Sequence, residues 1–363
     1  MTAGKERALI AMSGGVDSSV AALLSKRMGY DCAGITMKLS PGAPGIDSAA
    51  LAAEFLGMRH IVLDLSDEFG ARVIEPFIAS YEAGETPNPC VTCNKEIKFG
   101  RLFEYAMAEG FDRLVTGHYA VIEQGPDGEY RLKRASDRAK DQSYFLYGLT
   151  HEKLSHILFP LGGLTKKEVR SMAEEAGLPA FDKSESQDIC FIPDGDHAGF
   201  IAGYRGTPLK GGDFVDTEGR VLGRHGGVER YTIGQRRGLG VALGRPAFVK
   251  EIRSDTNEVV LAGEAELFVP HIDIADMNWH IPVEGGPDIE GEGAPEKGMG
   301  PLRAQVMIRY NAAPVWATII RVSDGRFRAE FDVPVRAPAC GQSAVMYDGD
   351  YVIGGGRIAP EGK

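Results

Sequence analysis

The sequence lacks any apolar run long enough to span a bilayer, and residues 1–7 lack the n-region and h-region of a signal peptide. We therefore expect a cytoplasmic protein with no membrane partner. There are five cysteines among 363 residues, too few for a disulfide-built fold, so each is first a candidate thiol. An internal repeat is also lacking.

The chain has fewer basic than acidic residues. The chain has 40 Lys and Arg against 51 Asp and Glu, a net charge of −11. This balance argues against a general binder of polyanions, and any nucleic-acid partner must meet a local basic patch. At this length one core is insufficient, so two or three domains are expected.

The first two hundred residues alternate between strand and helix patterns. Strands are predicted at 8–12, 32–39, 60–64 and 113–117, and helices at 19–28, 48–56, 68–83, 94–108 and 165–176. Alternation of this kind predicts an α/β domain with a parallel sheet, whose ligands gather at the carboxyl ends of the strands. Ser13, Met37 and Gly117 lie at such ends.

From about residue 204 the helical periodicity fades and glycine and proline increase. Short alternating segments follow at 212–215, 247–252 and 258–262. Further segments at 303–309, 316–322, 328–331 and 343–347 predict the strands of a small β-barrel. The Gly/Pro/Glu-rich stretch 284–300 is interpreted as an exposed loop.

The segment AMSGGVDSS, residues 11–19, joins the first strand to the first helix. Gly14 and Gly15 allow close approach of the backbone to an anion, and the helix directs unpaired N–H groups at it. Asp17 can serve the helix dipole or a bound Mg²⁺. No Walker lysine follows. The pattern is typical of enzymes that split ATP between its α and β phosphates, although a capped helix after a Gly-Gly turn is an alternative.

Two cysteines stand out as thiols. Cys93 follows the proline-rich segment TPNP and precedes a helical stretch, so we expect it at or beside a helix N-terminus, where the dipole favours a thiolate. With Cys90 it forms a C-x-x-C pair, which leaves half a zinc site, a redox pair or a structural role open. Cys190 is either a buried strand residue or an active thiol. Cys32 is assigned to the core and Cys340 to a β-turn.

Two polar clusters have no obvious structural purpose. KDQSYFL, residues 140–146, places polar groups beside aromatic rings that can stack on bases, or it marks a helix entry. YTIGQRRGLG, residues 231–240, is either a basic turn that contacts phosphates or a hairpin.

Together these segments resemble the bacterial tRNA-specific 2-thiouridylase family. The likeness rests on SGGVDSS (13–19), TPNP-x-x-x-CNKEIKF (86–99), TGHY (116–119), KDQSYFL (140–146), SQDICF (186–191) and YTIGQRRGLG (231–240), all in family order. It continues through IRY (308–310) and GQSAV (341–345). The resemblance implies an ATP-binding catalytic domain at 1–202, a small central β-rich domain at 203–266 and a β-barrel domain at 267–363.

The resemblance also implies a reaction. ATP adenylates the 2-oxygen of the wobble uridine in tRNAs for Lys, Glu and Gln, and a persulfide on Cys190 then supplies sulfur, while Cys93 helps to break the S–S bond by disulfide formation. Implied partners are tRNA and an upstream protein that donates persulfide sulfur; ATP is implied with Mg²⁺, and no resident metal is expected.

The family's site residues carry over onto matching positions. ATP contacts are implied for Ala11, Met12, Ser13, Gly14, Gly15, Val16, Asp17, Ser18, Met37 and Gly117. Contacts to tRNA are implied for His118, Lys140, Asp141, Gln142, Arg309, Tyr310 and Gln342.

The chain departs from the family in two places. Many relatives have Asp where this chain has Cys90, so the role of that position as a general acid or base is open. Residues 40–47 form a shorter segment than relatives have. Two rival functions remain: a ligase or amidotransferase with the same ATP loop, which needs no paired cysteines, and an RNA-binding module that uses ATP only for stability.

Overall fold

The computed structural model describes residues 5–42, 45–179, 189–241, 244–280, 301–323 and 325–361. The predicted loop at 284–300 lies outside these ranges, as do two residues of the short segment at 40–47. By internal contacts the chain divides into two compact units. The first contains Met1–Val73, Cys90–Ser186 and Gly349–Val352, and the second contains Ile74–Pro89, Gln187–Asp348 and Ile353–Lys363.

The strands of the described chain are β1 (Arg7–Ala11), β2 (Asp31–Lys38), β3 (Arg59–Asp64), β4 (Arg113–Val115), β5 (Ala120–Gln124), β6 (Tyr130–Arg134), β7 (Ile157–Leu158), β8 (Gly212–Val215), β9 (Val221–His225), β10 (Phe248–Arg253), β11 (Glu258–Ala262), β12 (Phe268–Trp279), β13 (Leu302–Met307), β14 (Val315–Ser323), β15 (Arg326–Arg336), β16 (Ser343–Asp348) and β17 (Tyr351–Ala359). The α-helices are α1 (Val16–Arg27), α2 (Ile46–Phe55), α3 (Ser66–Phe69), α4 (Glu75–Glu82), α5 (Pro89–Cys93), α6 (Leu102–Ala108), α7 (His151–Leu154), α8 (Lys166–Glu175) and α9 (His197–Arg205).

The first unit is built on a parallel sheet with the order β3-β2-β1-β4-β7. Ala8, Leu9 and Ile10 of β1 are fully buried, as expected for the centre of a sheet covered on both faces. The chain runs outward from β1 in one direction to β2 and β3 and in the other to β4 and β7. This reversal next to β1 creates the crevice in which α/β sheets bind ligands.

The second unit contains two β structures. A four-stranded sheet has the order β10-β11-β8-β9, with Phe214 and Val249 fully buried in its core. Six strands in the order β12-β15-β14-β13-β16-β17 form the other, and pairing of β12 with β17 closes them into a barrel. A closed barrel leaves no exposed sheet edge. The predicted fold class, an α/β domain followed by a small β domain and a barrel, is confirmed.

Two of the predicted helices differ from the structure. The stretch predicted as one helix at 68–83 consists of α3, a π-helical segment Gly70–Ile74 and α4. The helix predicted at 94–108 is π-helical over Asn94–Arg101 and α-helical only from Leu102. A hydrophobic pattern does not distinguish a wider π-turn from an α-turn, so these interruptions were not predictable from periodicity.

Candidate active site

The loop between β1 and α1 forms the tight turn that the sequence predicts. Gly14 has φ +75°, and a β-carbon there would lie 2.5 Å from the carbonyl oxygen of Gly45. Only glycine fits both conditions. Helix α1 begins at Val16 with Gly15 as its N-cap residue and with no side-chain cap. The first N–H groups of α1 therefore have no capping side chain, as an anion-binding helix end requires.

The serine hydroxyls of the loop have different tasks. Ser19 Oγ is buried and donates to the carbonyl of Gly15 at 2.9 Å. Ser18 Oγ donates to the same carbonyl at 3.1 Å and accepts from the Ser13 N–H at 3.2 Å. The hydroxyls of Ser18 and Ser19 thus stabilise the loop itself, whereas Ser13 is exposed at its mouth.

Three predicted nucleotide-binding positions meet at one edge of the sheet. Met37, Ser13 and Gly117 lie at or just beyond the carboxyl ends of the neighbouring strands β2, β1 and β4. A β-carbon on Gly117 would lie 2.9 Å from both the Asp17 carbonyl carbon and the Ser18 nitrogen. Gly117 therefore allows the chain after β4 to pack against the first turn of α1.

Asp17 lies in that first turn and has two partners from distant parts of the chain. Lys166 Nζ is 2.7 Å from Oδ1 and 2.8 Å from Oδ2, and the Tyr119 hydroxyl donates to Oδ1 at 2.8 Å. Neither Lys166 nor Tyr119 was singled out from the sequence. Lys166 is held at the start of α8 by a capping box between Thr165 and Glu168, whose Thr-x-x-Glu spacing is visible in the sequence.

The placement of Cys93 differs from the sequence prediction. Helix α5 begins at Pro89, and Cys93 is its last residue, so Cys90 and not Cys93 occupies the first turn. Proline is well suited to a first helical position, because it has no N–H to leave unpaired there, and this explains the earlier start. Cys93 is buried, with 8% of its surface exposed, and Cys90 is exposed.

The residue after Cys93 connects two of the sequence motifs. Asn94 is buried, and its Nδ2 donates to the carbonyl of Phe145 at 3.0 Å. The segment containing Cys93 is thereby attached to the segment 140–146. Within the described ranges, Asn94 Oδ1 is a buried oxygen without a hydrogen-bond donor.

The remaining cysteines fall into two groups. Cys190 is exposed in a turn of the second unit, so the buried-strand interpretation is wrong. Burial raises the pKa of Cys32 to about 11 and also raises the pKa of Cys340, where Glu85 adds to the effect. Cys340 lies in a turn, as predicted. Because of these raised pKa values, Cys32 and Cys340 are mostly protonated near neutral pH and therefore weak nucleophiles.

His118 is buried against Phe99 and Phe159. Its Nε2 lies 3.3 Å from Lys98 Nζ, which can only donate, so Nε2 accepts and Nδ1–H donates to Thr116 Oγ1 at 2.6 Å. Burial, followed by the Lys98 charge, holds the pKa of His118 well below its ordinary value of 6.5.

This environment predicts an acid sensitivity of folding. Because the unfolded chain protonates His118 below about pH 6.5 and the folded chain does not, stability from this group is complete above that pH and falls as pH decreases below it, by up to about 1.4 kcal/mol per pH unit. Urea unfolding of the His118→Gln variant between pH 7 and pH 5 should therefore show a smaller loss of stability than the wild type. Replacing the exposed His156 with Gln is the matched control, and equal slopes for all three proteins would contradict the prediction.

The segment 140–146 mainly stabilises the first unit. Asp141 accepts hydrogen bonds from Ala135 N, Ser143 N and Ser143 Oγ, and burial raises the pKa of its carboxyl. Gln142 Oε1 accepts from the Tyr119 N–H at 2.9 Å. Tyr144 is buried, which excludes its ring from stacking on a base in this arrangement. Lys140 is partly exposed at the start of the segment.

The predicted tRNA-contacting positions of the second unit lie in and around the barrel. Arg309 is exposed and Tyr310 is partly exposed in the turn after β13. Gln342 Nε2 donates to the carbonyls of Thr86 and Pro87, at 2.9 and 3.2 Å. The segment 231–240 was predicted to be either a basic turn or a hairpin. It contains a turn at residues 233–234 and no strand, so the hairpin alternative is wrong. Its Tyr231 is a core residue.

No helix among the described residues is both long enough and apolar enough to cross a bilayer. The same part of the chain holds no cluster of three or more His, Cys, Asp or Glu side chains suited to a metal ion. A glycine turn at the switch point of a parallel sheet, followed by a β domain and a closed barrel, defines a nucleotide-binding α/β protein with appended β-barrels.

Family models match this architecture in three parts. Residues 6–194 match a tRNA methyl transferase HUP domain, 198–263 a tRNA methyl transferase PRC-barrel domain and 271–358 an aminomethyltransferase β-barrel domain. A protein of Lachnoclostridium phytofermentans described as tRNA-specific 2-thiouridylase MnmA is 43% identical over 97% of this chain and 99% of its own length. Proteins with the same description from Carboxydothermus hydrogenoformans and Treponema denticola are each 42% identical, over 98% and 97% of this chain and the same shares of their own lengths. The chain belongs to the tRNA-specific 2-thiouridylase MnmA family.

Proposed function

We propose that this protein replaces the 2-oxygen of a tRNA uridine with sulfur, and that ATP and a cysteine persulfide drive the exchange. The observation that carries the proposal is the Gly14 turn at the switch point, with Asp17 in the first turn of α1. Family membership, with 43% identity to a 2-thiouridylase over nearly the whole chain, supports the choice of acceptor.

The first step activates a poor leaving group. The uridine 2-oxygen attacks the α-phosphate of ATP, pyrophosphate leaves with the electron pair of the broken P–O bond, and the oxygen becomes part of an adenylate. In this proposal, backbone N–H groups at the start of α1 and the exposed Ser13 hold the phosphates; the uncapped helix start supports that role. Residues 11–18, Met37 and Gly117 form the proposed nucleotide site.

The second step transfers sulfur. The terminal sulfur of a persulfide on Cys190 attacks C2 of the activated uridine, and AMP departs with the former 2-oxygen. The Cys93 thiolate then attacks the Cys190 sulfur, forming a Cys93–Cys190 disulfide while the electron pair of the broken S–S bond goes to the thiouridine. A cellular thiol must reduce that disulfide before another turnover. The exposure of Cys190 suits a residue that must be loaded by another molecule.

Two further components are proposed on chemical grounds. Mg²⁺ usually binds one or two carboxylates plus substrate phosphates. Asp17 would supply the carboxylate through Oδ2, which accepts from Lys166, whereas Oδ1 accepts from both Lys166 and Tyr119. Magnesium would supply charge neutralisation at the phosphates. A protein that carries persulfide sulfur would transfer that sulfur to Cys190. We propose the cytoplasm as the location, because it contains ATP and tRNA.

We propose the wobble uridine of tRNAs for Lys, Glu and Gln as the target. With a net charge of −11, the chain needs a local basic surface to hold tRNA. Exposed Arg309 and partly exposed Lys140 and Tyr310 are proposed as direct contacts. The other four residues are buried or hydrogen-bonded within the protein. We propose that they shape the segments that touch tRNA: His118, Asp141, Gln142 and Gln342.

Incubation of the purified protein with unmodified tRNA, ATP, Mg²⁺ and a persulfide donor tests the proposal. We expect 2-thiouridine in the nucleoside digest by mass spectrometry, with AMP and pyrophosphate formed in proportion to it. Omitting ATP or the persulfide donor should remove the product. Formation of AMP with an amine acceptor and no thiouridine would favour a ligase, and ATP binding without AMP formation would favour an RNA-binding module.

A further inference from the structure

The pair formed by Lys166 and Asp17 joins residues 149 positions apart in the sequence. The Lys166 ammonium contacts both oxygens of the carboxylate, at 2.7 and 2.8 Å. The side chain of Lys166 is 12% exposed and that of Asp17 is 34% exposed. A largely enclosed lysine that contacts both carboxylate oxygens is more strongly constrained than an ordinary surface ion pair.

The backbone of Lys166 is held in place by contacts other than the one with Asp17. It is the first residue of α8, directly after the N-cap Thr165, and its N–H donates to Asp137 Oδ2 at 3.0 Å. Its ammonium also lies 5.7 Å from the centre of the Tyr119 ring. The position of the charge is therefore set by the capped start of a helix and by an aromatic face.

Tyr119 contributes a second restraint on the same carboxylate. It is buried, its hydroxyl donates to Asp17 Oδ1, and its backbone exchanges hydrogen bonds with Gln142 in both directions. The Asp17 side chain is thus held by Lys166 and Tyr119, and each of these residues is restrained by further hydrogen bonds of its own. This pre-organisation lowers the entropy cost of using the carboxylate in a bound state.

The positive charge of Lys166 matters for the proposed phosphate site. The start of α1 is the proposed phosphate site, and an unneutralised carboxylate there would repel the phosphates of ATP. The Lys166 ammonium cancels that charge while keeping the oxygens oriented. We propose that Lys166 is a positioning residue of the nucleotide site, which acts through Asp17 to make the first turn of α1 receptive to the phosphates of ATP; the inference rests on the proposed function.

The test measures ATP affinity of the full-length protein by equilibrium dialysis at one fixed Mg²⁺ concentration. Lys166→Met should weaken ATP binding about tenfold, because Asp17 then keeps its full negative charge beside the phosphates, whereas Lys166→Arg should stay within about threefold of the wild type, because it keeps the cation. The matched control is Lys167→Met, which removes the same charge from the neighbouring, exposed position and should bind ATP as the wild type does. Thermal unfolding without nucleotide checks that the variants fold.

A double variant separates action through Asp17 from direct contact with phosphate. If Lys166 acts through Asp17, then Asp17→Asn combined with Lys166→Met should bind ATP no more weakly than Asp17→Asn alone. Additive losses would overturn the inference, as would wild-type affinity in Lys166→Met or an equal loss in Lys167→Met. Should Lys166→Met fail to fold, wild-type ATP affinity in a variant carrying Lys166→Gln would also overturn it. Absence of ATP binding by the wild type would instead refute the proposed function.

Discussion

Replacing Cys190 with serine is expected to abolish 2-thiouridine formation while ATP binding persists. A serine hydroxyl cannot carry the transferable sulfur, so the covalent route is lost and the rate should fall by at least about 10³-fold. Cys93→Ser should abolish turnover too, because the S–S bond can then no longer be broken by disulfide formation. Nucleoside mass spectrometry measures the product, and equilibrium dialysis measures ATP binding.

Cys32→Ser and Cys340→Ser are the matched controls for these variants. Burial raises the pKa of both thiols, which leaves them mostly protonated near neutral pH. Both should retain thiolation activity. Normal thiouridine formation by either Cys93→Ser or Cys190→Ser would refute the proposed sulfur transfer.

Cys90 presents a separate question, because it is the other member of the C-x-x-C pair. It is exposed in the first turn of α5, where the helix dipole favours an anion. The dipole argument that the sequence suggested for Cys93 therefore applies to Cys90. Its exposed side chain is also suited to exchange with a disulfide formed by its neighbour in the C-x-x-C pair.

The sequence was sufficient to predict the nucleotide loop because its chemistry is local. Gly14 must adopt a positive φ, and the turn, the helix start and the strand that precedes it are contiguous. The capping box at Thr165 was likewise readable from a four-residue spacing. Features of this kind depend on neighbours in the chain, which periodicity and turn chemistry describe well.

The partners of Asp17 could not be predicted in the same way. Lys166 and Tyr119 reach it through tertiary packing across 149 and 102 residues, respectively. No spacing rule connects them. Strand β17 was also missed, since its YVIGGGRIA sequence is rich in glycine, which is depleted in strands, and only its pairing with β12 makes its role evident.

The π-helical segment after Cys93 illustrates a third limit. Its sequence, NKEIKFGR, has the charge and apolar spacing of an ordinary amphipathic helix. Within this segment, Lys98 Nζ lies 3.3 Å from His118 Nε2 and Asn94 Nδ2 donates to the carbonyl of Phe145 at 3.0 Å. Such segments are frequent at functional sites, and here the segment follows directly after one proposed catalytic thiol.

Asp17→Ala is expected to lower AMP release in the presence of tRNA by about 10²- to 10³-fold, because the variant loses the proposed Mg²⁺ ligand at the phosphates. Release of labelled AMP from ATP measures the effect. The loss should concern adenylation and not tRNA binding, which a filter assay reports. Asp17→Asn, which preserves the shape, should be impaired in the same step.

Removal of a carboxylate from a helix start also weakens the helix, and Asp47 provides the control for that effect. Asp47 occupies the first turn of α2 as Asp17 occupies the first turn of α1, but it is exposed. Asp47→Ala should therefore show the same small loss of helix-dipole stabilisation, about 0.3–1 kcal/mol, with normal AMP release. Unchanged AMP release in Asp17→Ala, or an equal decline in Asp47→Ala, would mean that the carboxylate only supports the helix and that the nucleotide is held by the glycine turn and the N–H groups alone.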